Sequence, residues 1–338
     1  YLQFGEPINL NALLKEYPLS DYSSEKDWLF KVTPVLGKKI MTNINNSTVV
    51  TSTALFSLAI LNSDGFSISK QELVSRIELL KSLLEEDKYS AKTLICEKTG
   101  EEIIDQMRKL GFLSKEDIND RISLTNLEAA KLSFYRNNIS HLLIFESLIC
   151  GFFQYQKEII KEDLLQSIKM IYPFLKEEFF LKWDEADLDQ IIELKLNKLI
   201  YKNLILEDSK VFRRPDFKSK EFYETQSLGR LVQPSIDRFY VLISQLWKNS
   251  AEHISKNELE RNSLEILKNL EKTQARLTPE FSEKWMFDVF LSRLIENKYV
   301  REDDKGMLYP TRITQRLEKD ANKFLEPNWL KELSKSTP

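Results

Sequence analysis

Residues 134–153, FYRNNISHLLIFESLICGFF, constrain the fold most, because they form the longest apolar run of the chain and also carry polar side chains. On a helix, the apolar residues of this run would cover much of the circumference, which predicts a helix surrounded by protein. A membrane span needs about 20 mostly apolar residues, whereas the run from Ile139 onward is shorter and is interrupted by His141 and Glu146. The stretch therefore predicts a central core helix and not a transmembrane one.

Four polar residues near the start of this stretch would each be costly to bury without a partner. We expect Arg136, Asn137 and Asn138 to organise a buried polar network there, so that Asn138→Ala lowers thermal stability. His141 stands five residues before Glu146, which puts the two side chains about 140° apart on a continuous helix. They do not converge, and His141 is predicted to be a core histidine of the same cluster.

The composition favours long helices and sizeable cores. Only 8 Gly and 10 Pro occur among 338 residues, and 42% of the chain is hydrophobic, which predicts a mostly α protein. The formal net charge is −3, so no global positive field indicates nucleic acid or an anionic membrane as a partner. Cys96 and Cys150 lie far apart in the sequence, and we expect both to be inert free thiols.

The chain divides into four predicted segments. Residues 1–20 contain a strand ending at Gly5 and a short helix over Leu10–Glu16; because this strand has no partner nearby, we expect it to complete an α/β sheet whose other strands precede Tyr1. Residues 21–44 are predicted to be a linker packed across a surface. Residues 45–310 should form a helical domain, and residues 311–338 an amphipathic tail with Phe324, Leu325, Trp329, Leu330 and Leu333.

Several helices of the central segment have recognisable ends. Capping boxes predict helix starts at Ser69 and Ser255, each with a glutamate three residues on, and Thr278-Pro279 predicts another start. Gly111 supplies a C-terminal cap. Further helices are expected over residues 47–61, 101–110, 161–181, 185–201 and 223–248, with breaks or kinks at Pro173 and Pro234.

Three segments share the layout of a helix end, a short apolar strand, a polar turn and a second short strand. They begin at Met107, Leu196 and Leu291, and they predict several winged-helix-like units. The densest basic cluster falls at the second predicted wing. It is a candidate for holding phosphate, an anionic lipid headgroup or an acidic carrier protein, with a solvated loop as the preferred interpretation. Its members are Lys210, Arg213, Arg214, Lys218 and Lys220.

The sequence contains no Gly-rich phosphate loop, no paired cysteine or histidine metal spacing and no nucleophile elbow. His253, the other of the two histidines, precedes Glu258, which already belongs to a capping box. We therefore expect no catalytic residue, cofactor or metal in this chain. The tail is expected to dock on the protein's own helices and not in a membrane interface, because its polar face is mixed in sign.

Two blocks resemble the C-terminal region of the bacterial membrane-bound glycerol-3-phosphate 1-acyltransferase: FYRNNISHLLIFESLI and MIYPFLKEEFFLKWDEADLDQII. The block INNSTVVTSTALFSLAIL resembles the helix after that family's catalytic domain. DKYS resembles its short Tyr-Ser motif, and YLQFGEPINL resembles the strand and turn that close the acyltransferase domain. The matches run in order across most of the chain, up to about Tyr309.

The resemblance implies transfer of a fatty acyl group from acyl-CoA or acyl carrier protein to the sn-1 hydroxyl of glycerol 3-phosphate. It implies a place on the cytoplasmic face of the bacterial inner membrane, with the upstream catalytic domain, the membrane surface and acyl carrier protein as partners. The family's catalytic motif is a His, four residues and an Asp, in which the His is the base and the Asp orients it. This chain has no such motif, which by the order of matches should precede Tyr1. The segment alone is therefore expected to be inactive and to support the catalytic domain.

Two other classes of function stay open at this point. The three repeats would suit a winged-helix array that binds nucleic acid, although the acidic balance argues against it and salt-dependent DNA binding would be its mark. The second of these classes is a pure scaffold without membrane contact. Flotation with anionic liposomes, before and after removal of residues 321–338, separates a scaffold from an anchor.

Overall fold

The computed structural model describes residues 2–113, 120–249, 253–273 and 284–325, and the chain is mostly helical, as the sequence predicts. The helices are α1 (Leu10–Glu16), α2 (Glu25–Asn46), α3 (Ser52–Leu61), α4 (Lys70–Glu86), α5 (Gly100–Lys109), α6 (Asn126–Ser140), α7 (Ile144–Tyr155), α8 (Lys161–Phe179), α9 (Leu188–Tyr201), α10 (Lys220–Gly229), α11 (Gln233–Lys248), α12 (Lys256–Thr273), α13 (Lys284–Glu296) and α14 (Arg312–Asp320). The strands are β1 (Val49–Val50), β2 (Ser67–Ser69), β3 (Leu94–Ile95), β4 (Arg121–Ser123), β5 (Glu158–Ile160), β6 (Leu206–Asp208), β7 (Val211–Arg213), β8 (Ile254–Ser255), β9 (Val300–Glu302) and β10 (Met307–Pro310).

The N-terminal segment contains the predicted helix α1, whose start is capped by the Asn9 side chain. Residues 2–9 pair with no strand in the described part of the chain, so the predicted strand is not formed within it. They are held instead by Asn43, whose side-chain amide donates to the Glu6 carbonyl at 2.8 Å. The backbone approaches so closely here that a Cβ on Gly5 would lie 3.1 Å from the Asn43 carbonyl oxygen.

Residues 21–44 were predicted to be a linker, and this prediction is wrong, because helix α2 occupies most of them. Ser24 caps its first turn, where acidic side chains also favour the helix. Pro34 lies inside α2 and removes one backbone hydrogen bond, that to the carbonyl of Phe30. Phe30 is on the solvent side of the helix, where water can satisfy that carbonyl, and so the helix continues through the proline.

Residues 134–153 do not form one helix, which corrects the first expectation. Helix α6 ends at Ser140, a 3-10 turn covers His141–Leu143, and α7 then begins. Phe134 on α6 is 67% exposed, so α6 is a surface helix with one buried side. The central core helix is α7, in which residues 144–153 are all buried.

Helix α7 is central because neighbouring helices approach it closely. A Cβ added to Gly229 at the end of α10 would lie 2.9 Å from the Cys150 carbonyl oxygen of α7, so only glycine permits this approach. Ser147 of α7 donates to the Leu228 carbonyl at 2.7 Å and accepts from the Val232 N–H at 2.9 Å. A buried hydroxyl thereby joins α7 to the connection between α10 and α11.

The predicted helix ends are largely confirmed. Both capping boxes form: the Ser69 hydroxyl accepts the Glu72 N–H at 3.2 Å, and the Ser255 hydroxyl accepts the Glu258 N–H at 3.3 Å. Helix α8 runs on through Pro173 without a break. The predicted long helix over residues 223–248 is divided into α10 and α11, with Pro234 in the first turn of α11. The start predicted at Thr278-Pro279 lies outside the described residues.

The winged-helix-like layout is confirmed for the second and third segments, whereas the apolar residues 111–113 of the first segment form no strand. In each unit a strand precedes two helices and then pairs antiparallel with a strand that follows them: β2 with β4, β5 with β7, and β8 with β10. In the second and third units the strand orders are β5-β7-β6 and β8-β10-β9, so a full hairpin is present. The hairpin turn predicted for the first unit falls on residues 114–119, which the structure does not describe. Each pairing has a buried apolar pair: Ile68 with Ile122, Ile159 with Phe212, and Ile254 with Leu308.

The second helix of each unit also ends in the same way. Residues Gly111, Asn203 and Lys298 have positive φ angles of 77°, 56° and 60°. The following N–H groups bond back to carbonyls five residues earlier, as in Schellman caps. Only the first of these caps carries glycine, and it is the one that the sequence reveals.

The tail begins as predicted with an amphipathic helix, α14. Phe324 and Leu325 after it are buried, and the Phe324 ring centroid lies 4.1 Å from that of Phe152 on α7. Docking on the protein's own helices is therefore confirmed for this part of the tail. Trp329, Leu330 and Leu333 lie beyond the described residues.

Candidate functional site

The four residues of the predicted polar cluster are not gathered into one network. Arg136 is buried, and its Nε and Nη2 atoms donate to the Asn137 Oδ1 atom at 3.1 and 2.9 Å. Asn137 and Asn138 themselves are exposed, because they lie on the outer side of α6. The expectation that these two asparagines are buried is wrong, since the helix that carries them is a surface helix.

His141 is a core histidine, as predicted, but its partners lie elsewhere. Its Nε2 atom lies 3.3 Å from the Asn45 carbonyl oxygen and 3.2 Å from the Thr48 hydroxyl. Because a carbonyl can only accept, the contact with Asn45 requires the ring proton on Nε2. Burial lowers the pKa of His141 to about 4, although the Asn45 carbonyl opposes this shift. The imidazole is therefore neutral at pH 7.

The turn that contains DKYS packs against His141. The Tyr89 ring meets the His141 ring edge-on at a centroid distance of 5.1 Å and the Trp183 ring at 4.9 Å. The Tyr89 hydroxyl accepts the Lys182 N–H at 3.2 Å, and the Lys182 ammonium donates to the Tyr89 carbonyl. Burial raises the pKa of Tyr89 to about 12, so this hydroxyl stays protonated at neutral pH.

Glu146 on α7 is at the centre of a buried ion network with two lysines of α9. It is 1% exposed, and its Oε1 atom lies 3.0 Å from the Lys195 ammonium and 2.8 Å from the Lys198 ammonium. Lys195 also contacts the Asp87 carboxylate at 2.6 Å, and Lys198 donates to the Leu83 carbonyl at 2.9 Å. Two carboxylates and two ammonium groups therefore balance one another inside the protein.

The charges of this network are stabilised by their partners. Burial alone would raise the pKa of Glu146, but the two lysine charges outweigh burial and hold the pKa below its ordinary value. For Lys195, burial alone would lower the pKa, yet Glu146 and Asp87 raise it above its ordinary value. Glu146 and Lys195 are therefore both charged at neutral pH. The DKYS turn carries both Asp87 of this network and Tyr89, which packs on His141. We call the two groups together the polar hub; it consists of Asp87, Tyr89, His141, Glu146, Lys195 and Lys198.

A second set of charges lies at the end of α8, and in it only the pair of Glu178 with Arg238 is buried on both sides. Consecutive residues of the LKEEFF block point to different partners: Lys176 contacts Asp184 at 2.6 Å, and Glu178 contacts Arg238 of α11 at 2.5 Å. Glu177 lies between Lys38 of α2, at 2.5 Å, and an arginine of α13, Arg293, at 2.8 Å. This short block thus joins three helices that are distant in sequence.

The basic cluster lies at the second wing, as predicted. Lys210 is in the turn between β6 and β7 and is highly exposed, while Arg213 in β7 contacts Glu158 at 3.1 Å and Asp208 at 2.9 Å. Arg214 and Lys218 stack over phenylalanine rings, and Lys220 lies 3.7 Å from Glu224. Interspersed carboxylates therefore neutralise part of this patch, which fits the solvated-loop interpretation.

The chemistry available in the described residues is that of structure and binding. Residues 2–113, 120–249, 253–273 and 284–325 contain no group of three or more metal-ligating side chains and no helix that meets the length and hydropathy of a membrane span. Both cysteines are free thiols, as expected, and burial raises the pKa of Cys150 well above its ordinary value. His141 and Glu146 have separate partners, so they do not form a catalytic pair.

Sequence comparison identifies the family. The family described as "Glycerol-3-phosphate acyltransferase C-terminal region" matches residues 1–303. The chain belongs to this family.

Individual relatives agree with this assignment. The glycerol-3-phosphate acyltransferase of Glaesserella parasuis is 29% identical over 329 residues, which cover 94% of this chain and 40% of the relative. The enzyme of that name from Pseudomonas aeruginosa PAO1 is 26% identical over 336 residues, covering 97% of the chain and 40% of the relative. The glycerol-3-phosphate acyltransferase of Xanthomonas campestris is 29% identical over 320 residues, which cover 91% of this chain and 36% of the relative. The chain thus spans about two fifths of the length of these curated relatives.

In this glycerol-3-phosphate acyltransferase C-terminal region, the blocks that carry the resemblance meet at the polar hub. Thr48 comes from INNSTVV, Tyr89 from DKYS, His141 and Glu146 from the FYRNN block, and Trp183 from the FLKW block. The two lysines of α9 are the members that the sequence did not reveal. They follow Glu146 by about fifty residues, and no local pattern connects them to it.

Proposed function

We propose that this chain is the supporting region of an enzyme that transfers a fatty acyl group from acyl-CoA or acyl carrier protein to the sn-1 hydroxyl of glycerol 3-phosphate. The observation that carries the proposal is the family match over residues 1–303. In the proposal, a separate acyltransferase domain performs the reaction, and this chain holds that domain without contributing the catalytic base.

An exposed apolar surface near the N-terminus supports a docking role. Nine of the twenty large apolar side chains that are exposed in the described part of the chain lie between Leu2 and Ile44. Such a concentration in so short a segment marks a surface that is normally covered.

Helix α2 shows how this surface is built. At about 100° per residue, Leu29, Ile40 and Ile44 lie within one narrow sector of the helix, and Phe30 borders it. All four are exposed, and Phe30 reaches 80%. Val32, which lies about 90° away from the centre of this sector, is buried against the rest of the protein. We call Leu29, Phe30, Ile40 and Ile44 the α2 apolar face.

The occupant of the α2 apolar face in this proposal is the acyltransferase domain. The curated relatives are about two and a half times as long as the matched region, and the family description places that region at the C-terminal end. Residues 2–9, which precede α1 and α2, are also held against the body by Asn43, so a domain ahead of them would lie beside this face.

The same proposal includes peripheral attachment to the cytoplasmic face of the bacterial inner membrane, with acyl carrier protein as a further partner and no cofactor or nucleic acid. Flotation with anionic liposomes tests the attachment. A truncation that removes residues 326–338 is the better comparison, because it leaves Phe324 and Leu325 in the core. Unchanged flotation of this truncated chain would exclude residues 326–338 as the anchor.

An acyl-transfer assay tests the proposed activity. The 338-residue chain is incubated with palmitoyl-CoA and glycerol 3-phosphate, alone and together with the part of the Pseudomonas aeruginosa relative that lies outside the match. We expect no turnover from the chain alone and a clear gain when both parts are present. Turnover from the isolated chain, or no gain on adding it, would contradict the proposal.

A further inference from the structure

A cleft with a volume of about 670 Å³ lies between the N-terminal segment and the end of α8. Residues around α1 and α2 form one wall, and residues on either side of Trp183 form the other. Cavities of this size are typical of small-ligand sites. Neither the proposed docking surface nor the polar hub includes this cleft. Lys182 lines the cleft and contacts Tyr89 of the polar hub.

Four lysines line the cleft, against two carboxylates. The lysines are Lys38, Lys39, Lys176 and Lys182, and the carboxylates are Glu16 and Asp184. Lys38 shares its partner Glu177 with Arg293, and Arg293 is in turn paired with Glu296 at 2.5 Å, so these four charges balance. Because Lys39 and Lys176 are paired with the two carboxylates of the lining, the cleft keeps an excess of about one positive charge, that of Lys182.

Lys182 is the lysine best placed to take a ligand. Within the described residues it has no carboxylate at salt-bridge distance, and its ammonium lies 4.6 Å from the Tyr89 ring centroid and 5.0 Å from that of Trp183. Lys182 is an exposed residue of the cleft lining, so an anion can reach its ammonium from solvent. Burial nevertheless lowers its pKa.

The other pairings in the cleft are easily exchanged. Asp184, the partner of Lys176, has a side chain that is 82% exposed, and Glu16, the partner of Lys39, is 54% exposed. Ion pairs with such exposed carboxylates contribute little to stability. An incoming anion can replace them while the two carboxylates return to water.

The remaining lining of the cleft is largely apolar. It includes Ile8, Ala12, Leu13, Val35 and Leu181. The cleft thus places an apolar wall beside its ammonium groups, and a ligand that fits both needs an anionic head and a hydrocarbon part.

We infer that this cleft binds a phosphomonoester that carries an apolar chain. A phosphomonoester has a charge of about −1.5 to −2 at pH 7, which Lys182 can balance together with Lys39 or Lys176 once their exposed carboxylate partners return to water. Lysine ammonium groups bind phosphate oxygens through charge-assisted hydrogen bonds, and the hydrocarbon part lies on the apolar wall. The inference does not depend on the proposed acyl transfer, since it concerns binding alone.

Calorimetric titration of the full chain with monomeric dodecyl phosphate tests the inference. We expect saturable binding of one molecule per chain, and inorganic phosphate should bind at least about tenfold more weakly because it lacks the hydrocarbon part. Lys182→Gln should weaken dodecyl phosphate binding about tenfold through loss of one charge-assisted bond. Lys39→Gln, at another lysine of the lining whose side chain is 43% exposed, is the second variant should Lys182→Gln fail to fold.

Lys169→Gln is the matched control, because Lys169 lies on α8, contacts Asp189 at 2.6 Å and does not line the cleft. It should leave the affinity unchanged. Absence of saturable binding, or an equal loss in Lys169→Gln, would overturn the inference.

Vesicles of phosphatidylcholine with and without phosphatidic acid identify the source of the phosphate. Binding of the monomer alone indicates a soluble phosphomonoester, and binding of both the monomer and the phosphatidic acid vesicles indicates a lipid headgroup. Binding of vesicles without binding of the monomer would also overturn the inference, since the contact would then be one with a lipid surface.

Discussion

The Glu146 carboxylate of α7 lies 2.8 Å from the Lys198 ammonium of α9, and the two side chains are only 1% and 8% exposed. Lys195, one helical turn earlier, shares the same carboxylate at 3.0 Å. Forming such a pair requires both ions to leave water, so its net contribution to stability is small, but removal of one partner leaves a buried charge without its counterion. The pair therefore fixes the register of α9 on α7.

Glu146→Gln should lower the free energy of unfolding by about 3 kcal/mol or more, because Lys198 and Lys195 lose the carboxylate that they share. Urea denaturation measures the change. Glu193→Gln on α9 is the control: Glu193 is half exposed and contacts Lys161 at 2.8 Å, so its loss should cost less than about 1 kcal/mol. Similar losses in the two variants would contradict a special role for the buried pair.

The neutral state of His141 predicts a pH dependence of stability. The pKa of His141 is about 4 in the folded chain and 6.5 as the ordinary value, so between these values the unfolded state binds more protons. Stability must then fall as the pH is lowered through this range, by about 3 kcal/mol from this residue. His141→Gln keeps a donor near Asn45 and should remove that part of the slope.

Thermal and urea unfolding of both proteins from pH 7 to pH 4 measures the difference in slope. His253→Gln serves as the control and should retain the wild-type slope, because His141 is intact in it. A His141→Gln protein with the wild-type slope would show that His141 is not the titrating group.

Replacement by alanine should lower stability at one of two asparagines with similar sequence surroundings and have little effect at the other. The Asn45 side chain donates to the Phe179 and Phe180 carbonyls at 2.7 and 3.2 Å and so caps the end of α8. Asn45→Ala should cost about 1–3 kcal/mol. Asn138 is exposed on α6, and Asn138→Ala should change stability by less than about 0.5 kcal/mol, which reverses the expectation from the sequence. Chemical denaturation that ranks the two the other way would contradict this assignment.

Two glycines also give opposite predictions. A Cβ on Gly229 would lie 2.9 Å from the Cys150 carbonyl oxygen, so Gly229→Ala should force α7 and α10 apart at a cost of about 1–3 kcal/mol. Gly37, inside α2, has no neighbouring atom within 4 Å of the added Cβ. Gly37→Ala should stabilise the protein by about 0.5–1 kcal/mol through helix propensity. Differential scanning calorimetry should therefore show shifts of opposite sign.

Local signals predicted the helices well, because the interactions that define helix ends lie within five residues of one another. Ser69 with Glu72, Ser255 with Glu258, and the cap at Gly111 are of this kind. The hairpins of the winged-helix-like units were also visible as pairs of short apolar strands. The strand that precedes each pair of helices was not visible in the sequence, because its pairing partner is distant: two helices separate β5 from β7.

The site residues were harder to predict because their partners are distant in sequence. Glu146 was identified as a buried polar residue, yet nothing near it in the sequence points to Lys195 and Lys198. Helix α2 was mistaken for a linker for a related reason: the four residues of its apolar face point away from the rest of this chain, so their spacing matches no partner within it. The same exposed face is now the basis of the docking proposal.

The most direct test of the proposed supporting role is the affinity of this chain for the acyltransferase part of a relative, measured by sedimentation or interferometry. The double variant Phe30→Ser with Ile40→Ser removes two side chains of the α2 apolar face. Phe134→Ser with Ile160→Ser is the matched control, since both of its residues are exposed elsewhere on the surface. The α2 variant should lose binding by at least about tenfold while the control binds like the wild type; equal affinity of the two variants would contradict the docking proposal.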